Sequence, residues 1–223
     1  MLRDNLTQSI EDYLKAIYDL TLFDQRATTN QIAERMGVTP ASVTGMLKRL
    51  AGNDPPLLEY HKHRGVELTL AGEQVALEII RHHRLLELFL HDRLGYPWDK
   101  VHAEADRLEH VISEDLEERI AQELGNPDHD PHGDPIPSRD LHLVSKALLP
   151  LDELRPGQSA VVQRVRNDDP ALLRYLQSIQ LTPQALVTVL DYSSFDGNLR
   201  LQVGNQVIVL GPAVTQQIYV EVV

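Results

Sequence analysis

A helix-turn-helix is written into residues Thr29 to Leu50, and no other stretch limits the fold as much. Thr29-Asn-Gln-Ile-Ala-Glu-Arg-Met36 has the spacing of a short helix, Gly37-Val38-Thr39 reads as a tight turn, and Pro40-Ala-Ser-Val-Thr-Gly-Met-Leu-Lys-Arg-Leu50 reads as a second helix. Thr39 suits the N-cap and Pro40 the first helical position, where a missing N–H costs nothing. In this motif the second helix lies in the major groove with its first turn at the base edges. Thr39, Pro40, Ala41, Ser42, Thr44 and Gly45 are then the expected readers, with Val43, Met46, Leu47 and Leu50 on the buried side. Such small readers give few bidentate hydrogen bonds, so phosphate contacts and DNA shape carry more of the recognition.

The residues that follow strengthen the motif. Leu57-Leu-Glu-Tyr60 and Gly65-Val-Glu-Leu-Thr-Leu70 are short extended runs joined by His61-Lys-His-Arg64, which predicts a two-stranded wing with a basic tip. The chain as a whole carries a net charge of -12, which argues against indiscriminate binding to nucleic acid. Between Arg35 and Arg64, however, five Lys or Arg stand against two acids, whereas Gly65 to Asp140 holds seven against 18. One basic face on an acidic body fits a protein that meets DNA on one side, with Lys48, Arg49, Lys62 and Arg64 as phosphate contacts. A winged fold used only for protein contacts is the alternative.

A second informative stretch runs from His82 to His110. His83 and Glu87 are spaced i and i+4, and His102, Asp106, Glu109 and His110 are spaced i, i+4, i+7 and i+8. A continuous helix turning about 100° per residue would hold the second set within an arc of roughly 100°. Any one such pair is ordinarily just a solvated face. Six ligand-type side chains on consecutive helical segments instead suggest a metal centre between helices. The chain has no cysteine, which excludes disulfides, zinc-thiolate sites and cysteine nucleophiles and leaves no thiolate ligand; imidazole and carboxylate suit borderline to hard divalent ions.

Elsewhere the pattern is coarser. Leu6 to Leu22 reads as a helix with Ile10, Tyr13, Leu14, Ile17 and Leu20 as its apolar stripe, and Asp4, Thr7 or Ser9 as its cap. Asp12, off the centre of that stripe, reads locally as a solvated carboxylate. Ala71 to Leu94 predicts a long helix with Val75, Ile79, Leu86, Leu90 and Leu94 as its seam, and Asp99 to Leu124 predicts another. Gly125 to Arg139, rich in proline and glycine, is expected to be a flexible acidic connector, with metal binding by His129 and His132 as the alternative. Beyond it, Ser159–Arg166, Ala185–Asp191, Leu199–Val203, Gln206–Leu210 and Thr215–Val222 predict strands of a small barrel, with a helix over Ala171–Ile179. The expected architecture is mainly α with a β C-terminal domain. Its domains are 1–72 (winged helix-turn-helix), 73–140 (helical, with the connector) and 141–223 (small β-barrel). No export signal or membrane span is apparent, so the expected location is the cytoplasm.

With these features assembled, the chain resembles the diphtheria toxin repressor and manganese transport regulator family of metal-dependent transcription factors. The resemblance is carried by Ile10-Glu-Asp-Tyr-Leu-Lys-Ala-Ile-Tyr18, Arg81-His-His-Arg-Leu-Leu-Glu87, Lys100-Val-His-Ala-Glu-Ala-Asp-Arg-Leu-Glu-His110 and Gly133-Asp-Pro-Ile-Pro137. It implies an SH3-like C-terminal domain, a homodimer and double-stranded operator DNA as partner, with no small organic substrate and no membrane. It also implies a primary metal site of Asp12, Asp106, Glu109 and His110, and a second site of His83, Glu87 and His102, to which Asp168 or Asp169 could add. In the iron-responsive branch the positions of Asp12 and Asp106 hold methionine and cysteine. Oxygen in place of sulfur favours Mn²⁺, with Fe²⁺ as the alternative, and Zn²⁺, Co²⁺ or Cd²⁺ as substitutes in vitro. Lys15 departs from the short manganese regulators, which carry a further carboxylate there. The expected function is a metal-activated, DNA-binding repressor of metal-uptake genes and not an enzyme; the rivals are an iron-responsive regulator, a metallohydrolase and a metal buffer.

Overall fold

The computed structural model describes residues 6–22, 26–61, 64–144, 146–166 and 169–223. The expectations for Asp4, Lys62 and Asp168 lie outside these residues. The chain divides into two compact units, one of Met1–His82, Glu109–Ile112 and Pro137–Leu143, the other of His83–Leu108, Ser113–Ile136 and Val144–Val223.

In the first unit, α1 (Gln8–Thr21) buries the predicted stripe of Ile10, Tyr13, Leu14 and Ile17, with Thr7 as its N-cap residue. Next come α2 (Thr29–Met36) and α3 (Pro40–Ala51), each started by a threonine whose hydroxyl accepts a backbone N–H. Thr28 and Gln31 cap α2 reciprocally, and Gly37 ends it in the left-handed region at φ 64°, which lets the chain turn directly into α3. Strands β1 (Leu58–His61) and β2 (Gly65–Leu68) pair antiparallel from Leu58 opposite Leu68 to His61 opposite Gly65, and Ala27 bridges Val66 on the hairpin's other side. Val43, Leu47 and Leu50 of α3 are fully buried with Ile32, Leu57, Leu58 and Val66, so packing sets the pitch of the reading helix.

Helix α4 (Leu70–Asp92) gives its first half to this unit and its second to the other. Its seam is buried at Val75, Ile79, Leu86 and Leu90, but Leu94 lies past the helix end and is 57% exposed. The single helix expected over Asp99–Leu124 is two, α5 (Val101–Leu108) and α6 (Glu114–Glu123). Ser113 starts α6 by accepting the Leu116 N–H, and Glu114, Asp115 and Glu117 follow in its first turn, where carboxylates suit the helix dipole. The chain turns at Glu109–Val111, so Glu109 and His110 stand on that turn and not on the face of a continuous helix.

In the second unit a six-stranded antiparallel sheet has the order β3 (Leu149–Pro150), β8 (Ile218–Val222), β4 (Ser159–Val165), β5 (Leu186–Tyr192), β6 (Leu199–Val203), β7 (Gln206–Leu210). Helix α7 (Pro170–Ser178) and the single turn α8 (Pro212–Thr215) complete it, and Val162, Leu173, Val187, Leu201 and Ile218 are among its core residues. Asp169 caps α7 by accepting the Ala171 N–H.

The connector forms no regular element but is not a flexible tether. Asp130 Oδ1 accepts the N–H groups of His132 and Asp134, and His132 is fully buried, while His129 is exposed. The Trp98 indole donates to Pro131 O and stacks on the His132 ring. Gly133 has φ 89°, and a Cβ there would meet Gln163 O at 1.9 Å. Replacing Gly133 with Ala is therefore expected to cost about 2 kcal/mol or more through backbone strain and displacement of β4. The check is a drop in the urea midpoint of the full chain.

Candidate metal centres and DNA-reading surface

Away from the wing, three of the groups of imidazole and carboxylate atoms that converge among the described residues lie each within one unit. The first belongs to the first unit. Asp12 Oδ1 lies 2.9 Å from His110 Nε2, and Glu109 Oε1 lies 3.4 Å from the same nitrogen. On the other edge of the ring, Glu11 Oε2 is 2.6 Å from Nδ1. Glu109, 1% exposed, also receives both oxygens' worth of hydrogen bonding from Lys15 Nζ, at 2.8 and 3.0 Å, and its backbone carbonyl faces His82 Nδ1 at 3.1 Å. Burial opposes a charge on His110, yet hydrogen bonds to Asp12 and Glu11 and the charges of Glu109 and Asp12 outweigh it and raise its pKa to about 9.

The second group belongs to the second unit. His83 Nε2 is 3.0 Å from His102 Nδ1, and Glu87 Oε1 is 3.1 Å from the first nitrogen and 3.0 Å from the second. These are the three residues expected to form the second site. Asp106, expected with Asp12, has its carboxylate 3.3 Å from His83 Nδ1 and 3.6 Å from His102 Nε2.

Asp130 and His132 form the third group with the same Glu87; His132 enters the sequence reading only as the alternative to a linker, and Asp130 not at all. Glu87 Oε2, Asp130 Oδ2 and His132 Nδ1 are all buried, and none has a hydrogen-bond partner among the described residues. Burial raises the Asp130 pKa well above the carboxylate range, with the Glu87 charge adding to it, and burial lowers that of His132. Desolvation also works against the Glu87 charge, but His83, His102 and His132 hold its carboxyl well below the usual value. Ionised Glu87 and neutral His132, with unsatisfied lone pairs facing inward, are the donor states that a divalent ion requires. The signal in sequence was the crowding of Pro131, Gly133 and Pro135 around His132, which marks an ordered turn as readily as a linker. Glu11, equally unforeseen, stands three residues before Leu14 and seven before Tyr18, inside the buried arc of α1.

On the reading surface, Thr39, Pro40, Ala41, Ser42, Gly45, Lys48 and Arg49 are exposed, while Met46 is half-buried. Thr44 is half-buried and its hydroxyl donates to Pro40 O, which leaves it only an acceptor for a base edge. Arg64 is exposed at the wing, but His61 and Arg26 are drawn to Glu67 at 2.8 and 3.2 Å, so the wing's positive charge is partly spent within it.

Two outcomes follow from the first group. Because the folded His110 pKa of about 9 exceeds the ordinary 6.5, protonation favours the fold; this contribution is complete below pH 6.5 and is lost as pH rises through 9. Urea unfolding of chelator-treated protein should show stability falling across that window, and a His110→Gln variant should flatten the fall. Loss of Lys15 leaves buried Glu109 without its ammonium, so Lys15→Ala is expected to cost about 2 kcal/mol. Adding Glu109→Gln should recover much of that loss in a double-mutant cycle.

Comparison with known proteins covers nearly the whole chain. Residues 5–66 match the model for the iron-dependent repressor N-terminal DNA-binding domain, 69–138 that for the iron-dependent repressor metal-binding and dimerisation domain, and 149–222 the FeoA domain. The iron-dependent repressor IdeR of Mycobacterium leprae is 36% identical over 198 residues, covering 83% of this chain and 85% of the relative. The diphtheria toxin repressor of Corynebacterium diphtheriae is 33% identical over 168 residues, 75% of this chain and 68% of the relative. Among solved structures, a manganese-dependent transcriptional repressor in complex with manganese superposes with a TM-score of 0.87 at 36% identity, covering 96% of this chain and 100% of its own. ScaR with bound Cd²⁺ does so at 0.81 and 37%, covering 96% and 99%. A winged helix-turn-helix, a helical segment carrying paired imidazoles and carboxylates, and an antiparallel C-terminal sheet thus match region by region, and the chain belongs to the diphtheria toxin repressor family of metal-dependent, DNA-binding transcriptional repressors.

Proposed function

We propose that this protein acts in the cytoplasm as a homodimeric repressor of metal-uptake genes, switched on by Mn²⁺, with Fe²⁺ as the alternative activator. The observation that carries this reading is the donor chemistry: the converging groups among the described residues are built from imidazole nitrogen and carboxylate oxygen, with no cysteine thiolate in the chain. The manganese-dependent structural neighbour supports Mn²⁺, and the IdeR relatives keep Fe²⁺ as the second choice. We assign DNA reading to residues 1–72, dimerisation and metal binding to 73–140, and an SH3-like role to 141–223.

Asp12, Glu109 and His110 hold one ion, with Asp106 as the fourth ligand assigned from the family. His83, Glu87 and His102 hold a second, with Asp130 and His132 beside Glu87. A bound divalent ion supplies the positive charge these carboxylates need in a buried site. Asp12 lies on α1 and Glu109 and His110 on the turn after α5, so their common ligation fixes α1, against which α2 packs, in one arrangement. A two-fold dimer places two recognition helices a set distance apart, and only that arrangement meets both half-sites. The ion acts through tighter binding to the DNA-competent arrangement, and linkage requires operator DNA to raise metal affinity by the same factor.

The test is binding of chelator-stripped protein to promoter DNA of its own metal-transporter genes, titrated with Mn²⁺, Fe²⁺ and Zn²⁺ at fixed salt. Binding should appear with Mn²⁺ and vanish in Asp12→Ala or His110→Ala. Lys48→Ala with Arg49→Ala should lower the salt slope of binding by about 0.9 per lost phosphate contact while ion uptake stays intact. Unchanged DNA binding in that variant would remove α3 as the reader. Metal uptake without any DNA affinity would favour the buffer or hydrolase readings.

A further inference from the structure

We propose that Glu11 is a positioning residue for the metal site, holding His110 by Nδ1 so that Nε2 is presented to Asp12 and Glu109. This rests on the metal-sensing reading and adds to it a residue outside the converging ligand set. Glu11 is 4% exposed and its Oε2 lies 2.6 Å from His110 Nδ1, while Asp12 Oδ1 lies 2.9 Å from Nε2 of the same ring. Glu11 and Asp12 are consecutive on α1 and so diverge by about 100° around its axis, which lets the two carboxylates grip one imidazole at opposite edges. Only Asp12 shares the Nε2 edge with Glu109; the convergent set is Asp12, Glu109 and His110, and Glu11 stands outside it.

The consequence for the ligand is chemical. A ring whose Nδ1–H donates to a carboxylate has its lone pair on Nε2, a defined rotation about the ring axis, and a more basic nitrogen for the ion. Burying a carboxylate on a helix that also buries Ile10, Tyr13 and Leu14 is costly unless it is engaged. The short contact to His110 accounts for Glu11 at that place, whereas a leucine would pack α1 equally well.

The experiment uses the full-length protein and the variants Glu11→Ala, Glu11→Gln and Asp12→Ala. Mn²⁺ dissociation constants come from competition with a fluorescent chelator, ion counts from equilibrium dialysis, and the ligand field from the visible absorption of the Co²⁺-saturated protein. Glu11→Ala should weaken one ion by about 10- to 100-fold without changing the count at saturation. Its Co²⁺ bands should shift even at saturation, which a loss of fold stability alone would not cause. Glu11→Gln keeps an acceptor of the same shape and should weaken binding several-fold less; if the alanine variant does not fold, the glutamine variant carries the comparison. Wild-type affinity and Co²⁺ bands in both Glu11 variants, with Asp12→Ala losing an ion, would overturn the positioning role and leave the metal reading standing. One ion fewer in Glu11→Ala would make Glu11 a direct ligand and also overturn it. An unchanged count in Asp12→Ala would remove the metal site itself.

Discussion

A carboxylate taken out of water must be given a cation, a proton or a metal, and this chain buries Glu11, Glu87, Glu109 and Asp130. Each is resolved differently. Glu109 takes the Lys15 ammonium, Glu11 shares the His110 imidazolium with Asp12, Glu87 leans on three histidines, and burial pushes the Asp130 pKa up, toward the neutral acid. Under the proposed function a divalent ion would offer another solution to the same problem.

The two sets of groups differ in what they have spare. Around His110 both ring nitrogens and Glu109 are already paired, so the ion of the proposed function would compete there with Glu11 and Lys15. Around Glu87, three buried polar atoms have no partner among the described residues, so an ion entering there satisfies groups that are otherwise a cost. The second set is therefore the more pre-organised, and the first is the more responsive to conditions.

The DNA-reading half of the molecule is built by short-range means. Threonine caps at Thr28 and Thr39, a left-handed glycine at Gly37 and a proline at the first position of α3 define the two helices before any distant contact is made. Burial of Val43, Leu47 and Leu50 then turns the small residues of α3 outward, with Lys48 and Arg49 exposed about two turns after Ala41 and Ser42. Thr44 shows the limit of reading residue type alone, because its hydroxyl is already spent on Pro40 O.

Amino-acid order by itself determined the helix-turn-helix, the wing, the five main strands of the C-terminal sheet and the ligand-type residues, because caps, turns and periodicity act over a few positions. It misjudged the run after Asp99 as one helix, since the cap at Ser113 competes with an otherwise helical pattern. It also passed over Asp130 and preferred a linker for His132, since proline and glycine mark a buried turn and a loose tether alike. Which edge of which imidazole faces which carboxylate was decided only by the tertiary structure. Glu11 and His110 are 99 residues apart, and Asp130 reaches Glu87 from a segment with no periodicity at all. Their pairing is set by packing and by the low dielectric of the interior, which makes each unpaired charge costly and so selects the arrangement in which every one is answered.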